Sequence, residues 1–216
     1  MQHKSINNLI LIENEVKEIN SVAKIIAVSK TFSVNDIMPL IDHGHIHFGE
    51  NKVQEAVNKW KNLKNLNDKL KLHLIGRLQT NKVKLAISLF DYIHSLDSIK
   101  LAKKISIEQT SQNRNLKIFI QINLGGETQK GGIEPNNLKT FYQECVNELK
   151  LNIIGLMCIP PQNNKTYLYF EQMSEFKKKL NLKELSMGMS SDYLEALKYG
   201  ASFVRIGSKI FGSRTM

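Results

Sequence analysis

The chain has 216 residues, carries 30 lysines and arginines against 20 aspartates and glutamates, and is 42% apolar. That composition supplies a sizeable core and argues against wholesale disorder. Its longest apolar runs, 25–28 and 153–157, are far short of the roughly 18 residues that a bilayer-spanning helix needs.

The first twenty residues, MQHKSINNLILIENEVKEIN, have an apolar centre with acidic residues directly behind it and no small-residue cleavage site. They read as an amphipathic helix over 4–20 and not as a signal peptide, so a cytoplasmic protein is expected. Short β-branched-rich runs then alternate with amphipathic stretches. Strands are expected at 24–29, 45–49, 71–76, 92–96, 116–124, 151–159, 184–189 and 202–206. Nearly continuous apolar runs of this kind suit strands buried on both faces. Helices are expected at 35–42, 52–63, 81–90, 99–109, 137–148, 166–180 and 191–199. The second of these carries Val53, Ala56, Val57 and Trp60 on one helical stripe. Asp97 with Ser98, and Ser190 with Ser191, stand where N-caps would. A short segment, 208–212, closes the last unit.

Strand and helix alternating eight times is the pattern of a single (β/α)8 barrel of the α/β class spanning 1–216, with the N-terminal helix as an extra. An open doubly wound sheet is the alternative. The barrel accounts for the whole chain without an edge strand. Its active site would lie in the loops after the strands, among them the glycine-rich stretch 125–135, GGETQKGGIEP.

The net charge of +10 raises nucleic acid or acidic lipid as partners. The cations are almost all lysine, with arginine only at Arg77, Arg114, Arg205 and Arg214, and they are scattered. No nucleic-acid-binding motif accompanies them, so neither specific nucleic-acid binding nor a membrane role is expected. Cys145 and Cys158 make neither a disulfide framework nor a metal knuckle. His45 and His47, at i and i+2, would share a strand face with His43 nearby, yet no third ligand has fitting spacing, so no metal is expected. His73 and His94 fall mid-strand and would line the barrel.

Lys30 ends the first apolar strand. An amine held at a barrel mouth loses hydration, which favours its neutral, nucleophilic form and Schiff-base chemistry. At the other end of the chain, Gly207 and Ser208 follow the eighth strand and Ser190 follows the seventh. In barrels those two loops commonly hold a phosphate against a short extra helix. Lysine plus phosphate cup leaves two chemistries open, a Schiff base with a phosphosugar or one with pyridoxal phosphate. Arg205 bears on the choice. Turned inward, a permanent cation beside a pyridine nitrogen would keep that nitrogen unprotonated and weaken the ring as an electron sink.

Taken together, AVSKTFS (27–33), FGENKVQEA (48–56), HLIGRLQTNK (73–82), IHSLDS (93–98), QINLGGETQKGGI (121–133), GLMCIPP (155–161), LSMGMSSDYLEAL (185–197) and VRIGSKIFGSR (204–214) resemble the YggS-like pyridoxal phosphate homeostasis proteins. That family is related to the barrel domain of bacterial alanine racemases. The resemblance implies a fold-type III barrel with pyridoxal 5'-phosphate held as a Schiff base on Lys30. It implies Ser190, Gly207 and Ser208 at the phosphate, with Ser208 standing where threonine is common. It further implies Arg205 near the ring or phosphate and Asn51 on the ring side. Tyr193 and Leu194 depart from the family's usual residues on a helix face.

Racemases of this fold draw a tyrosine from a second domain of the partner subunit. The chain ends at Met216, just after the eighth unit, and racemisation needs two positioned proton-transfer groups. The expectation is therefore a monomeric, non-enzymatic protein that buffers pyridoxal phosphate or delivers it to apoenzymes. A minimal amino-acid racemase is the alternative.

Overall fold

The computed structural model describes residues 3–127, 131–161 and 165–212. Eight parallel strands close into a barrel in sequence order: β1 (Lys24–Val28), β2 (His47–Glu50), β3 (Lys71–Leu74), β4 (Tyr92–Leu96), β5 (Lys117–Ile122), β6 (Ile153–Cys158), β7 (Glu184–Met189) and β8 (Phe203–Ile206). β8 returns to pair with β1, from Lys24 opposite Phe203 to Ala27 opposite Ile206, so no strand edge stays open. Each expected run forms its strand, and β4 and β7 keep the expected bounds. β2 starts two residues late. Gly44, at φ +97°, ends the preceding helix in a Schellman turn in which the His45 amide donates to Leu40 O, and this holds His45 back from the sheet.

The helices are α1 (Lys4–Ile19), α2 (Val34–Asp42), α3 (Val53–Leu66), α4 (Val83–Leu89), α5 (Ile99–Ser111), α6 (Leu138–Gln143), α7 (Thr166–Lys179), α8 (Tyr193–Lys198) and α9 (Ser208–Phe211). Ser33 and Asp36 form a reciprocal capping box on α2, and Ser98 caps α5 as expected. The helix expected over 137–148 is interrupted. A 3-10 turn opens it, α6 follows, and a wider π turn over Glu144–Glu148 tucks Cys145 into the core.

α1 is more than an appendage. The eighth unit ends in the one-turn α9, too short to cover its strand. α1 buries Leu9, Ile12 and Val16 and packs between α8 and α2, beneath α9, in the place a full eighth helix would take. Asn8 donates to Ile210 O, Asn20 donates to Ala201 O, and the Tyr193 hydroxyl donates to Glu15. Among the described residues no helix is long and apolar enough to cross a membrane.

The core has two layers. Outward-facing strand residues pack with the helices, and Trp60, Phe90, Phe170 and Leu40 are fully covered there. Inside the barrel, Ile26, Tyr92, Phe119, Met157 and Phe203 form a separate, largely aromatic cluster. This inner plug closes the lower half of the barrel and leaves the upper mouth open.

Candidate functional site

The C-terminal strand ends surround a cavity of about 740 Å3, lined by Lys30, Asn51, Ser190, Arg205, Gly207 and Ser208. All six candidate residues thus reach one space from four strand ends. Lys30 is half-buried and begins a tight corner: the Ser29 amide donates to Gly49 O at 3.0 Å and the Phe32 amide donates to Ser29 O at 3.1 Å. The corner turns through Thr31 at φ +71°. A β-branched residue in the left-handed region costs about 1–3 kcal/mol, and such strain gathers at functional sites.

What holds the corner is Glu50, which the sequence reading did not single out. It is 1% exposed, and its Oε1 accepts from Ser29 Oγ (2.8 Å), Lys59 Nζ (2.8 Å) and Trp60 Nε1 (2.9 Å). Lys59 also donates to Ser29 O at 2.8 Å. One carboxylate oxygen therefore ties the end of β1, and with it Lys30, to the end of β2 and to α3. The only signal in the sequence is an acid at a strand end, with Lys59 and Trp60 nine and ten residues on.

Asn51 sits against the glycine that ends the third strand run. A Cβ at Gly76 would lie 2.3 Å from Asn51 O and 2.8 Å from its Cα, both backbone atoms that cannot swing away. Gly76→Ala is expected to push the Asn51 loop outward and lower stability by about 1–3 kcal/mol, as overpacking does. A urea midpoint that falls at unchanged slope would show it; an unmoved midpoint would mean the contact is relieved without cost. Across the mouth, the Gln121 side chain donates to Gly131 O, and both residues line the cavity. Residues 128–130 of the stretch 125–135, and Arg214 at the far end, lie outside the described residues.

Ser190 follows β7 in a turn made possible by Gly188 at φ +89°. Asp192, not Ser190 or Ser191, is the first residue bounding α8; its Oδ1 accepts from the Met189 amide at 2.6 Å. The N-cap expectation for the two serines is therefore corrected. With α8 starting only at Tyr193, Ser190 stays in the turn and its Oγ accepts from the Gly207 amide at 3.4 Å. Arg205 points inward. It is 4% exposed and donates to Ser186 Oγ and to Cys158 O, each at 2.8 Å. Burial lowers its pKa from the ordinary value, with the charges of Cys158 and Asp192 working against that shift.

The histidines divide. His45 turns its ring edge to Phe48 and contacts His47 O, whereas His47 faces His73 inside the barrel. The expected shared face of His45 and His47 is absent because His45 belongs to the helix turn. Among the described residues no group of three His, Cys, Asp or Glu side chains is placed to hold a metal. His73 and His94 do line the barrel, below Arg205 and outside the cavity.

The family model described as alanine racemase, N-terminal domain, matches residues 7–215. A pyridoxal phosphate homeostasis protein of Aquifex aeolicus is 40% identical over 201 residues, covering 89% of this chain and 87% of its own. The chain belongs to this family. The solved structure of PipY from Synechococcus elongatus without pyridoxal phosphate superposes with a TM-score of 0.90 at 34% identity, covering 97% of this chain and 100% of that one. PipY with pyridoxal phosphate bound gives 0.81 at 35% identity, covering 93% and 100%.

Proposed function

We propose that the protein binds pyridoxal 5'-phosphate as a Schiff base on Lys30 and holds it for handover, not for turnover. The observation that carries this reading is the convergence of an amine, an inward guanidinium and a serine-glycine-serine cup on one cavity. The donor set fits the cofactor. Lys30 Nζ would add to the aldehyde carbon, and the carbonyl oxygen would leave as water. Ser190 Oγ and the amides of Gly207 and Ser208 would meet the phosphate, Asn51 the ring side, and Arg205 the ring nitrogen or the phosphate. Homologues named for pyridoxal phosphate homeostasis, and PipY with the cofactor bound, support the assignment.

Holding over turnover is favoured by what lines the cavity. Its described lining holds no His, Asp, Glu, Cys or Tyr, so Lys30 is the one side chain there of a kind that serves as a general acid or base. Proton transfer on two faces needs a second such group. Arg205, a permanent cation, would also leave the ring a poor electron sink when the cofactor is bound. In this reading the barrel, residues 1–216, acts as a cytoplasmic monomer that buffers the cofactor or passes it to apoenzymes.

Purified wild-type protein should show a visible Schiff-base band, and borohydride should fix the label on Lys30. Lys30→Ala should lack the band. A wild type without the band after addition of pyridoxal phosphate would overturn the assignment and favour a phosphosugar. The alternative, a minimal racemase, is tested by α-proton exchange in deuterated water over a panel of amino acids. Exchange at enzyme-like rates of about 1 s−1 or more would overturn the holding role.

A further inference from the structure

Beneath the cavity runs a file of side chains that neither the cofactor reading nor ordinary core packing requires. Starting from Arg205, Nη1 donates to Ser186 Oγ at 2.8 Å, and Ser186 Oγ lies 2.8 Å from His94 Nδ1. His94 Nε2 lies 2.9 Å from His73 Nδ1, and His73 Nε2 lies 2.9 Å from His47 Nδ1. The file crosses β8, β7, β4, β3 and β2 and ends at the lower mouth. Its rings are held by stacking, His94 on Phe119 at 4.3 Å and 20°, and His73 on Tyr92 at 4.1 Å and 14°.

We propose that this file is a single hydrogen-bonded chain of fixed polarity, and that it positions Arg205 as a buried cation by turning acceptor ends toward it. The direction follows from the donors. An arginine only donates, so Ser186 Oγ must accept from it. Between its two neighbours, Arg205 and His94, the Ser186 hydroxyl satisfies its one hydrogen only by giving it to His94 Nδ1, which is thereby an acceptor. A neutral imidazole has one donor and one acceptor, so His94 carries its proton on Nε2 and gives it to His73 Nδ1. By the same rule His73 gives from Nε2 to His47 Nδ1, and His47 keeps an Nε2–H at the lower mouth. The opposite polarity would aim His94 Nδ1–H at an oxygen already receiving the guanidinium, and strand a buried hydroxyl proton.

The rings stay neutral because burial opposes their charge, and Arg205 adds to that effect at His94. At the lower end burial, then His45, Lys24, Lys71 and Lys117, hold the His47 pKa down at about 4, so that ring too is neutral near neutral pH. Those lysines taken alone favour a bare nitrogen facing them, against the proposed direction. Lys24 and Lys117 are exposed and Lys71 is half-buried, so solvent screens them, whereas Arg205 and Ser186 at the other end are buried. The upper end sets the direction. Among the described residues the arginine's hydrogen bonds reach no carboxylate, only a carbonyl and this chain. Aligned hydrogen bonds polarise one another, so each imidazole strengthens the acceptor that meets the guanidinium. Arg205 also blocks the chain from serving as a proton wire into the cavity, because its own proton does not leave at neutral pH.

The part of this inference concerning the cofactor rests on the proposed role of Arg205; the polarity of the chain does not. Long-range proton–nitrogen correlation spectra of histidine-labelled protein without added cofactor read each tautomer directly. His47, His73 and His94 should all show a protonated Nε2 and a bare Nδ1 near neutral pH. A protonated Nδ1 on His94 or His73 overturns the proposal. In Ser186→Ala the rings should drift to mixed tautomers, and Ser186→Thr should restore them; unchanged rings in Ser186→Ala also overturn it. Ser186→Ala should then weaken pyridoxal phosphate binding by about tenfold, with rescue by threonine. Unchanged affinity would refute the positioning of Arg205. Wild-type protein that binds no pyridoxal phosphate would instead refute the cofactor reading and leave the tautomers to decide the chain.

Discussion

Taking the protein from neutral pH to near pH 5.5 is expected to remove about 4–5 kcal/mol of stability, a large part of the roughly 5–15 kcal/mol a domain has. The cause is the set of histidines kept neutral by the fold. Burial pushes His45 and His47 down to about 4, and His73 and His94 well below their ordinary value. In the unfolded chain each takes up a proton as pH falls through about 6.5. Between that value and the folded one the unfolded state binds more protons, so stability falls with pH and is fully present only above about 6.5. One pH unit below it, each completely buried histidine contributes about 1.4 kcal/mol of loss, and the two half-buried ones somewhat less. Asp97, whose carboxyl is pushed up by burial, acts in the opposite sense, but as one group against four. Ordinary carboxylates titrate lower, near 4, so they do not dominate this window. Urea titrations at a series of pH values, followed by the fluorescence of Trp60, the only tryptophan, would measure the slope. A flat stability between pH 7 and 5.5 would mean that the histidines take up protons in the fold as readily as in the unfolded chain.

The barrel was legible because parallel strands are buried on both faces, and that burial writes continuous β-branched runs such as KIIAV and KIFIQI into the chain. The mouth was legible for a related reason. Once the strands are placed, the residue after each one is placed too, and Lys30, Asn51, Ser190, Arg205, Gly207 and Ser208 all meet at one cavity. Illegible were features that arise only from register. His47, His73 and His94 come from three strands, and nothing in their spacing shows that β2, β3 and β4 bring their rings within 2.9 Å. The role of α1 as the eighth helix needs the closure of β8 on β1. Asp192 outcompetes the serines as the residue bounding α8 because its carboxylate reaches the Met189 amide, a contact no propensity scale contains. The strain at Thr31 is likewise invisible without the corner that forces it.

Glu50→Ala should be the most damaging single change outside the cavity lining, at about 3–5 kcal/mol. The carboxylate is fully enclosed, so its removal leaves Lys59 with a buried charge and one carbonyl, and leaves the Trp60 indole N–H and the Ser29 hydroxyl without their acceptor. Each stranded neutral donor adds about 1–3 kcal/mol in isolation, which is why the sum reaches the upper range for a broken buried pair. Glu50→Gln keeps an acceptor oxygen in place and should cost less, about 1–2 kcal/mol, mainly the loss of charge on the bond to Lys59. The two variants separate packing from charge. Stability is half of the expectation; the other half concerns the strained corner. Thr31 holds its left-handed φ because Ser29 is anchored on both its backbone and its hydroxyl. Releasing the hydroxyl anchor lets the corner relax and moves Lys30 away from the cavity, so the folded fraction of Glu50→Ala should bind pyridoxal phosphate less tightly than wild type, by several-fold to about tenfold, whereas Glu50→Gln, which keeps the acceptor, should stay close to wild type. Denaturant midpoints read with Trp60 and cofactor titrations read by absorbance measure the two effects separately. A Glu50→Ala protein within about 1 kcal/mol of wild type would show that Lys59 and Trp60 find other partners and that Glu50 does not fasten the corner.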